Sequence, residues 1–212
     1  MQFNEIWQDI VSNINQFDFW GIVAFVSGIL AVIYLIKESI WTWPLGVIYT
    51  LISVVVFYQS RLYGDLLLHI FYLVLNGYGW YYWSKGGAKA EGNIQVTHST
   101  IRSMVVTIGI TVLGVIVFAE MLIAIPTVFE GADPPALPYW DSTTSVLSVA
   151  GMWLTTRKKI DNWYYWFVVD ILATGIYFYK GLYFYSALYL VYIGMAVAGY
   201  LAWKKSMKSS AP

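Results

Sequence analysis

The sequence has no cysteine, only two histidines and few charged residues. Charged side chains make up 11% of its 212 residues, whereas soluble domains contain about 25%. The absence of cysteine excludes disulfides, thiolate metal sites and cysteine nucleophiles, and His69 and His98 are too few for a histidine metal cluster. With 59% hydrophobic residues and a mean hydropathy of +0.62, the composition is typical of a protein embedded in a bilayer.

Signatures of several function classes are also absent. The formal net charge is zero, so no electrostatic field attracts nucleic acid. We find no Ser-His-Asp spacing, phosphate-binding glycine loop, metal-ligand pair or rhomboid-like motif. We therefore predict that the chain is not an enzyme and uses no metal or other cofactor.

Seven apolar segments approach the length of about 20 residues that a spanning helix needs. Several begin or end with tryptophan or tyrosine, which favour the headgroup level. Four prolines between residues 126 and 138 predict that this stretch is not helical, and residues 1–19 read as an amphipathic helix on the membrane surface. The predicted spans are 20–36, 43–58, 63–83, 101–125, 140–156, 163–179 and 182–203.

The positive charges are unevenly distributed between the two ends of these spans. Ten of the twelve lysines and arginines fall on one side, and only Arg61 and Lys180 fall on the other. The positive-inside rule therefore predicts a periplasmic N-terminus and a cytoplasmic C-terminus. The crowded side contains Lys37, Lys85, Lys89, Arg102, Arg157, Lys158, Lys159, Lys204, Lys205 and Lys208.

A shift of 120 residues reveals an internal repeat. It places Trp20 on Trp140, Trp43 on Trp163 and Trp83 on Trp203 without a gap. Spans one to three should therefore repeat as spans five to seven, and span four should be a linker that returns the chain to the starting side. Such repeats are parallel, as in SWEET-type sugar facilitators, and favour alternating access around a central site. The predicted divisions are 1–19 (surface segment), 20–83 (first repeat), 84–139 (linker), 140–203 (second repeat) and 204–212 (basic cytoplasmic tail).

The sixth span carries the most informative polar residue. Trp163, Trp166, Asp170 and Tyr177 share one helix face, and Asp170 lies about 12 Å into the span at 1.5 Å per residue. A carboxylate at that depth costs at least about 2.5 kcal/mol, and no spanning segment has a cation near that depth. A cationic cargo, with the indoles as cation–π surfaces, would satisfy the charge. The alternative is a protonated Asp170 bonded between helices, with both tryptophans used in packing.

Other candidate contacts come from both halves of the chain. Thr50 and Trp43 belong to the span that corresponds to span six, where Gly46 provides either room or a close helix contact. Asn76 lies deep in span three and must bond to something, and Tyr192 could bind polar groups of a substrate.

The ionisable side chains of His69 and Glu120 can each be interpreted in two ways. His69 is interpreted as a hydrogen-bonded structural residue, with a proton relay as the alternative. Glu120 either lines an outer vestibule or reaches the headgroup region. The candidate substrate-binding set is Trp163, Trp166, Asp170, Asn76, Thr50, Tyr177, Trp43 and Tyr192.

Several blocks resemble the PnuC family of vitamin transporters over about residues 20–203. They include Trp43-Pro44-Leu45-Gly46 and the Asn-Trp-x-x-Trp block at 162–166. The resemblance implies facilitated diffusion through a SWEET-like fold, a homotrimer in a bacterial inner membrane, and a cytoplasmic kinase that traps the vitamin.

One position departs from the family pattern. Members that move nicotinamide riboside have W-x-x-W-x-x-x-N in this helix, but the last position here is Asp170. Thiamine and nicotinamide riboside both carry a ring cation, so the two cargoes are about equally favoured. The competing hypotheses are a proton-coupled vitamin transporter that uses Asp170 or Glu120, and a membrane scaffold without transport.

Overall fold

The structure, a computed structural model, describes residues 2–15, 17–59, 63–86, 94–128 and 137–209. This part of the chain forms eight α-helices and one isolated bridge, between Thr97 and Lys159. The predicted cations Arg61 and Lys89 and the prolines Pro134 and Pro135 lie outside the described residues. The helices are α1 (Gln2–Asn15), α2 (Phe19–Ile36), α3 (Thr42–Gln59), α4 (Tyr63–Ser84), α5 (Ile101–Val128), α6 (Pro138–Thr156), α7 (Asn162–Tyr179) and α8 (Tyr183–Ser209).

The predicted spans match α2 to α8 in order, with errors at the ends of α5, α6 and α8. The prediction that the stretch from Pro126 to Pro138 is non-helical is wrong at both ends, because α5 continues to Val128 and α6 begins at Pro138. A proline in a final turn removes only one backbone donor near a helix end. The last span was predicted to end at residue 203, but α8 continues to Ser209 because lysine and methionine are good helix formers.

Four of these helices are long and apolar enough to cross a membrane: α2, α3, residues 101–124 of α5, and α8. The helices α4, α6 and α7 are more polar. They carry Asn76, Ser148 and Asp170, which face the interior of the helix bundle. Polar residues within a membrane protein face a cavity or the bundle interior because the lipid cannot bond to them.

The turns after α2 and after α6 have the same backbone geometry, 120 residues apart. Glu38 and Lys158 are both in the left-handed region, with φ of 55° and 54°. The amide that follows each of them bonds back to a carbonyl five residues earlier, at 2.9 Å in both cases. These two turns lie side by side at one end of the bundle, which we call the lysine-rich end.

A tryptophan–glycine–tryptophan arrangement also occurs twice. The first indole lies on the glycine so closely that a Cβ there would overlap the ring, and its edge meets the second indole. Ring centres are 5.2 Å apart at 82° in one half and 5.5 Å apart at 87° in the other. The two sets are Trp43, Gly79 and Trp83, and Trp163, Gly199 and Trp203.

Candidate functional site: a cavity between the two halves

A cavity of about 210 Å³ lies between the helices of the two halves. Helices α2, α3 and α4 line one side of it, and α6, α7 and α8 line the other. Seven of the eight predicted site residues line this cavity: Trp43, Thr50, Asn76, Trp163, Trp166, Asp170 and Tyr192. These seven residues, from Trp43 of α3 to Tyr192 of α8, are up to 149 positions apart in the chain but line the same cavity.

Asp170 is the acidic residue of the cavity lining. It is 5% exposed, and no hydrogen-bond donor or cation within the described residues contacts its carboxylate. Its backbone carbonyl accepts a bond from the Thr174 hydroxyl at 2.7 Å, and the residue lines the cavity. A buried charge without a partner is costly, so this carboxylate is available to a ligand that brings a positive charge.

Three indoles line the cavity around Asp170. Trp166 donates from Nε1 to Thr155 Oγ1 at 3.2 Å, which holds its ring against the backbone of Gly151. Trp43 and Trp163 are 1% and 2% exposed, and neither indole N–H has a partner within the described residues. The lining thus includes three indole rings, and the N–H groups of two of them are buried without a partner within the described residues.

The polar residues on the opposite side of the cavity belong to α3 and α4. The Thr50 hydroxyl donates to the Gly46 carbonyl at 2.8 Å, so its oxygen remains an acceptor. The Asn76 amide donates to the Tyr72 carbonyl at 2.9 Å. A Cβ at Gly46 would overlap Asn76 Oδ1, and Gly46 therefore makes room for Asn76 as a close helix contact.

Tyr177, the eighth predicted residue, is not part of the lining. Its ring stacks on Tyr189 and packs against Tyr185, with centres 5.3 and 5.5 Å away. Helical periodicity placed Tyr177 on the face of Asp170, but it lies seven residues further along α7, where α8 covers that face. Sequence reasoning omitted several lining residues that no local signal marked, including Tyr49, Ser148, Met152 and Thr155.

His69 and Glu120 lie outside the lining. His69 is buried, with Nδ1 2.8 Å from the Asp65 carbonyl and Nε2 3.4 Å from the Tyr49 hydroxyl, the contacts expected of a structural residue. Glu120 accepts a bond from the Tyr139 hydroxyl at 2.7 Å on the exposed surface between α5 and α6.

Comparison with known proteins places this architecture in a family. Residues 18–205 match the family model described as nicotinamide mononucleotide transporter. The nicotinamide riboside transporter PnuC of Escherichia coli is 28% identical over 203 residues, covering 88% of this chain and 85% of that protein. The riboflavin/roseoflavin transporter RibM of Streptomyces davaonensis is 25% identical over 209 residues, covering 98% and 89%.

A solved structure agrees with the sequence comparisons. The crystal structure of the vitamin B3 transporter PnuC superposes with a TM-score of 0.71 at 26% identity, covering 99% of this chain and 91% of that one. The chain belongs to the nicotinamide mononucleotide transporter family. This membership confirms the resemblance seen in the sequence, and the relatives are transporters, as predicted for a chain that is not an enzyme.

Proposed function

We propose that this family member carries a flat, cationic heteroaromatic vitamin across the membrane by alternating access. Thiamine and nicotinamide riboside remain about equally favoured as cargo. The relatives are named for nicotinamide riboside and for riboflavin, so the family accommodates different ring systems. The residues of this cavity, rather than the family alone, must therefore identify the cargo.

The unpartnered carboxylate of Asp170 is the observation that carries the proposal. It is buried, faces the cavity and has Trp166 and Trp163 beside it in the lining. Attraction between a ring cation and a carboxylate is strong where water is excluded, and indole faces attract the same cation. A neutral sugar or flavin would leave the charge of Asp170 unbalanced.

The other lining residues have roles that follow from their free atoms. Trp166 and Trp163 would hold the cargo ring. Thr50 Oγ1 offers an acceptor, because its hydroxyl hydrogen is used by Gly46. Asn76 of α4 and Tyr192 of α8 would bind polar groups of the cargo.

The proposed architecture has seven spans in a SWEET-like arrangement, with α2–α4 and α6–α8 as parallel repeats and α5 as the linker. The matched turns and tryptophan–glycine contacts support this arrangement. We also propose an inner-membrane location, with the lysine-rich end in the cytoplasm, the N-terminus outside and α1 at the membrane surface. The divisions at 19, 83, 139 and 203 remain predictions.

The proposed energetics are those of a uniporter. The sequence has no nucleotide-binding loop, so net uptake would depend on a cytoplasmic kinase that phosphorylates the vitamin. The homotrimer implied by the family resemblance is retained as part of the proposal. Long apolar side chains are exposed along α5, among them Ile110 and Leu113, where lipid or a neighbouring copy would cover them.

Proton coupling is the second candidate, because Asp170 has no partner in the cavity and could carry a proton. Glu120 is a poorer candidate for this role, since Tyr139 already bonds to it at the surface. An imposed pH gradient that drives accumulation above equilibrium would favour this mechanism over facilitated diffusion.

The decisive experiment measures uptake of labelled thiamine, nicotinamide riboside and riboflavin into proteoliposomes. We expect uptake of one of the two cationic vitamins to exceed that of riboflavin. Asp170→Asn should lower it about 10- to 100-fold, since a bond to a charged group contributes about 1.5–3 kcal/mol. The same variant should raise the melting temperature of the empty protein, because it removes a buried charge without a partner.

Asp18→Asn is the matched control for this experiment. Asp18 caps α2 through a bond to the Gly21 amide, and asparagine caps equally well, so transport should not change. The proposal fails if neither cationic vitamin is taken up, or if Asp170→Asn transports as the wild type does. Failure of both transport and cargo binding would favour the scaffold hypothesis.

A further inference from the structure

The two halves of the chain meet in an ion pair between equivalent positions. Lys158 Nζ lies 2.9 Å from Glu38 Oε2, and the two side chains are 9% and 20% exposed. These residues are 120 positions apart and have the same left-handed backbone conformation. An identical repeat would bring like charges together here, so this attraction depends on the divergence of the two halves.

Reciprocal hydrogen bonds connect the halves around this pair. Trp83 Nε1 donates to the Thr156 carbonyl at 3.1 Å, and Trp203 Nε1 donates to the Leu35 carbonyl at 2.9 Å. Each half therefore supplies an indole donor to the end of a helix in the other half. Lys158 Nζ also lies 5.0 Å from the ring centre of Trp83.

The segment before α5, residues 94–100, crosses the same end of the bundle. The Ile160 amide donates to the Thr97 carbonyl at 3.0 Å, and Lys158 Nζ donates to the Ile94 carbonyl at 2.8 Å. Val96 is 4% exposed and belongs to the apolar cluster that includes Leu35, which lines the cavity. The ion pair and this segment therefore lie next to the cavity lining at the lysine-rich end.

The opposite end of the bundle is held differently. Across the described residues there, no hydrogen bond or ion pair joins α2–α4 to α6–α8. The contacts between the halves there include an aromatic pair, Phe25 and Phe184, with ring centres 6.0 Å apart. The Phe184 amide also donates to Asp9 Oδ2 of α1 at 2.9 Å. Among the described residues, hydrogen bonds and ion pairs that join α2–α4 to α6–α8 are therefore concentrated at the lysine-rich end.

We infer that Glu38 and Lys158 form the latch of an inner gate, and that breaking this pair opens the cavity at the lysine-rich end. The inference rests on the proposed alternating access. It predicts a conformational equilibrium that exists without cargo, so it can be measured in the empty protein whether or not the proposed vitamin is correct.

The absence of cysteine allows a direct test by thiol labelling. Ala31→Cys places one thiol in the cavity lining, and a membrane-impermeant methanethiosulfonate is applied to membrane vesicles of each orientation. With Glu38→Gln added, we expect labelling from the lysine-rich side to be about 10-fold faster. Labelling from the other side should be slower or unchanged, because opening one end favours closure of the other.

A double-mutant cycle separates the latch from a general loosening of the protein. Lys158→Gln should also accelerate labelling from the lysine-rich side, and Glu38→Gln with Lys158→Gln should be no faster than Lys158→Gln alone. Lys37→Gln is the matched control, since it removes an exposed charge from the same turn, and should have no effect.

Other outcomes overturn the inference. They are unchanged labelling in Glu38→Gln, faster labelling from both sides, or effects that multiply in the double variant. If the expected labelling pattern is observed but the wild type takes up neither cationic vitamin, the proposed cargo is wrong and the inference about the gate stands. The two failures can therefore be distinguished.

Discussion

The two halves of the molecule have the same framework but different cavity linings. In each half an indole covers a glycine and meets a second indole at nearly a right angle. The turns after α2 and α6 also agree in backbone geometry and hydrogen bonds. Where the halves face the cavity, however, Gly46 corresponds to Trp166 and Thr50 corresponds to Asp170.

The difference shows that the framework contacts and the cavity lining are subject to different requirements. The tryptophan–glycine contact requires complementary shapes on neighbouring helices, so a change on one helix would demand a change on the other. At the cavity positions the two halves instead make different contacts, since Gly46 faces Asn76 whereas Trp166 bonds to Thr155. The first half provides space, because Gly46 admits Asn76, and the second half provides an aromatic ring and a charge.

The largest expected effect is on the shared framework. Gly79→Ala and Gly199→Ala should each destabilise the protein by about 2–3 kcal/mol, because the new Cβ would overlap a buried indole in either half. Melting temperatures in detergent measure the effect. Gly77→Ala and Gly194→Ala are matched controls, since nothing lies within 4 Å of a Cβ at either position. A large difference between the two halves would contradict the common framework.

A smaller effect is expected where the halves differ. Trp166→Ala should weaken vitamin binding about 10- to 30-fold, since a desolvated cation–π contact contributes up to about 2 kcal/mol. Trp166→Phe keeps an aromatic face and loses only the bond to Thr155, so it should retain most of the affinity. Calorimetric titration of the purified variants measures both changes. Equal affinities for Trp166→Ala and the wild type would remove this tryptophan from the site.

The smallest expected effect is a loss of stability at low pH, which should come from Asp161 in the second half. Burial raises the pKa of Asp161, but bonds from the Ser99 amide and His98 outweigh it and hold this pKa below its usual value. Such a group stabilises the fold above its unfolded pKa, about 3.9, and the stabilisation is lost as pH falls through the lower folded value.

The melting temperature should therefore fall less for Asp161→Asn than for the wild type between pH 7 and pH 3. The equivalent residue of the first half, Trp41, is exposed and has no carboxylate. We therefore expect no corresponding loss of stability at low pH from the first half. Parallel curves for the two proteins would show that these bonds do not contribute.

Much of the fold could be predicted from the sequence because lipid imposes a simple pattern. Seven apolar segments, the spacing of tryptophans and the Asn-Trp-x-x-Trp block anticipated helices α2–α8 and the family. The helix ends were less accurate, at Pro126 and after Trp203, since terminal turns depend on weak local preferences. For the site, helix periodicity grouped Trp163, Trp166 and Asp170 correctly but also included Tyr177, which packs with Tyr185 and Tyr189.

The sequence by itself determined that the chain is a helical membrane protein of the transporter family, and it singled out Asp170 as a deep carboxylate. Composition and spacing are local properties, and the lipid environment makes them sufficient for these conclusions. Only the tertiary structure decided that the indole N–H groups of Trp43 and Trp163 are buried without a partner among the described residues, and that Glu38 meets Lys158. These contacts join residues far apart in the chain, and they depend on how closely packed helices approach one another.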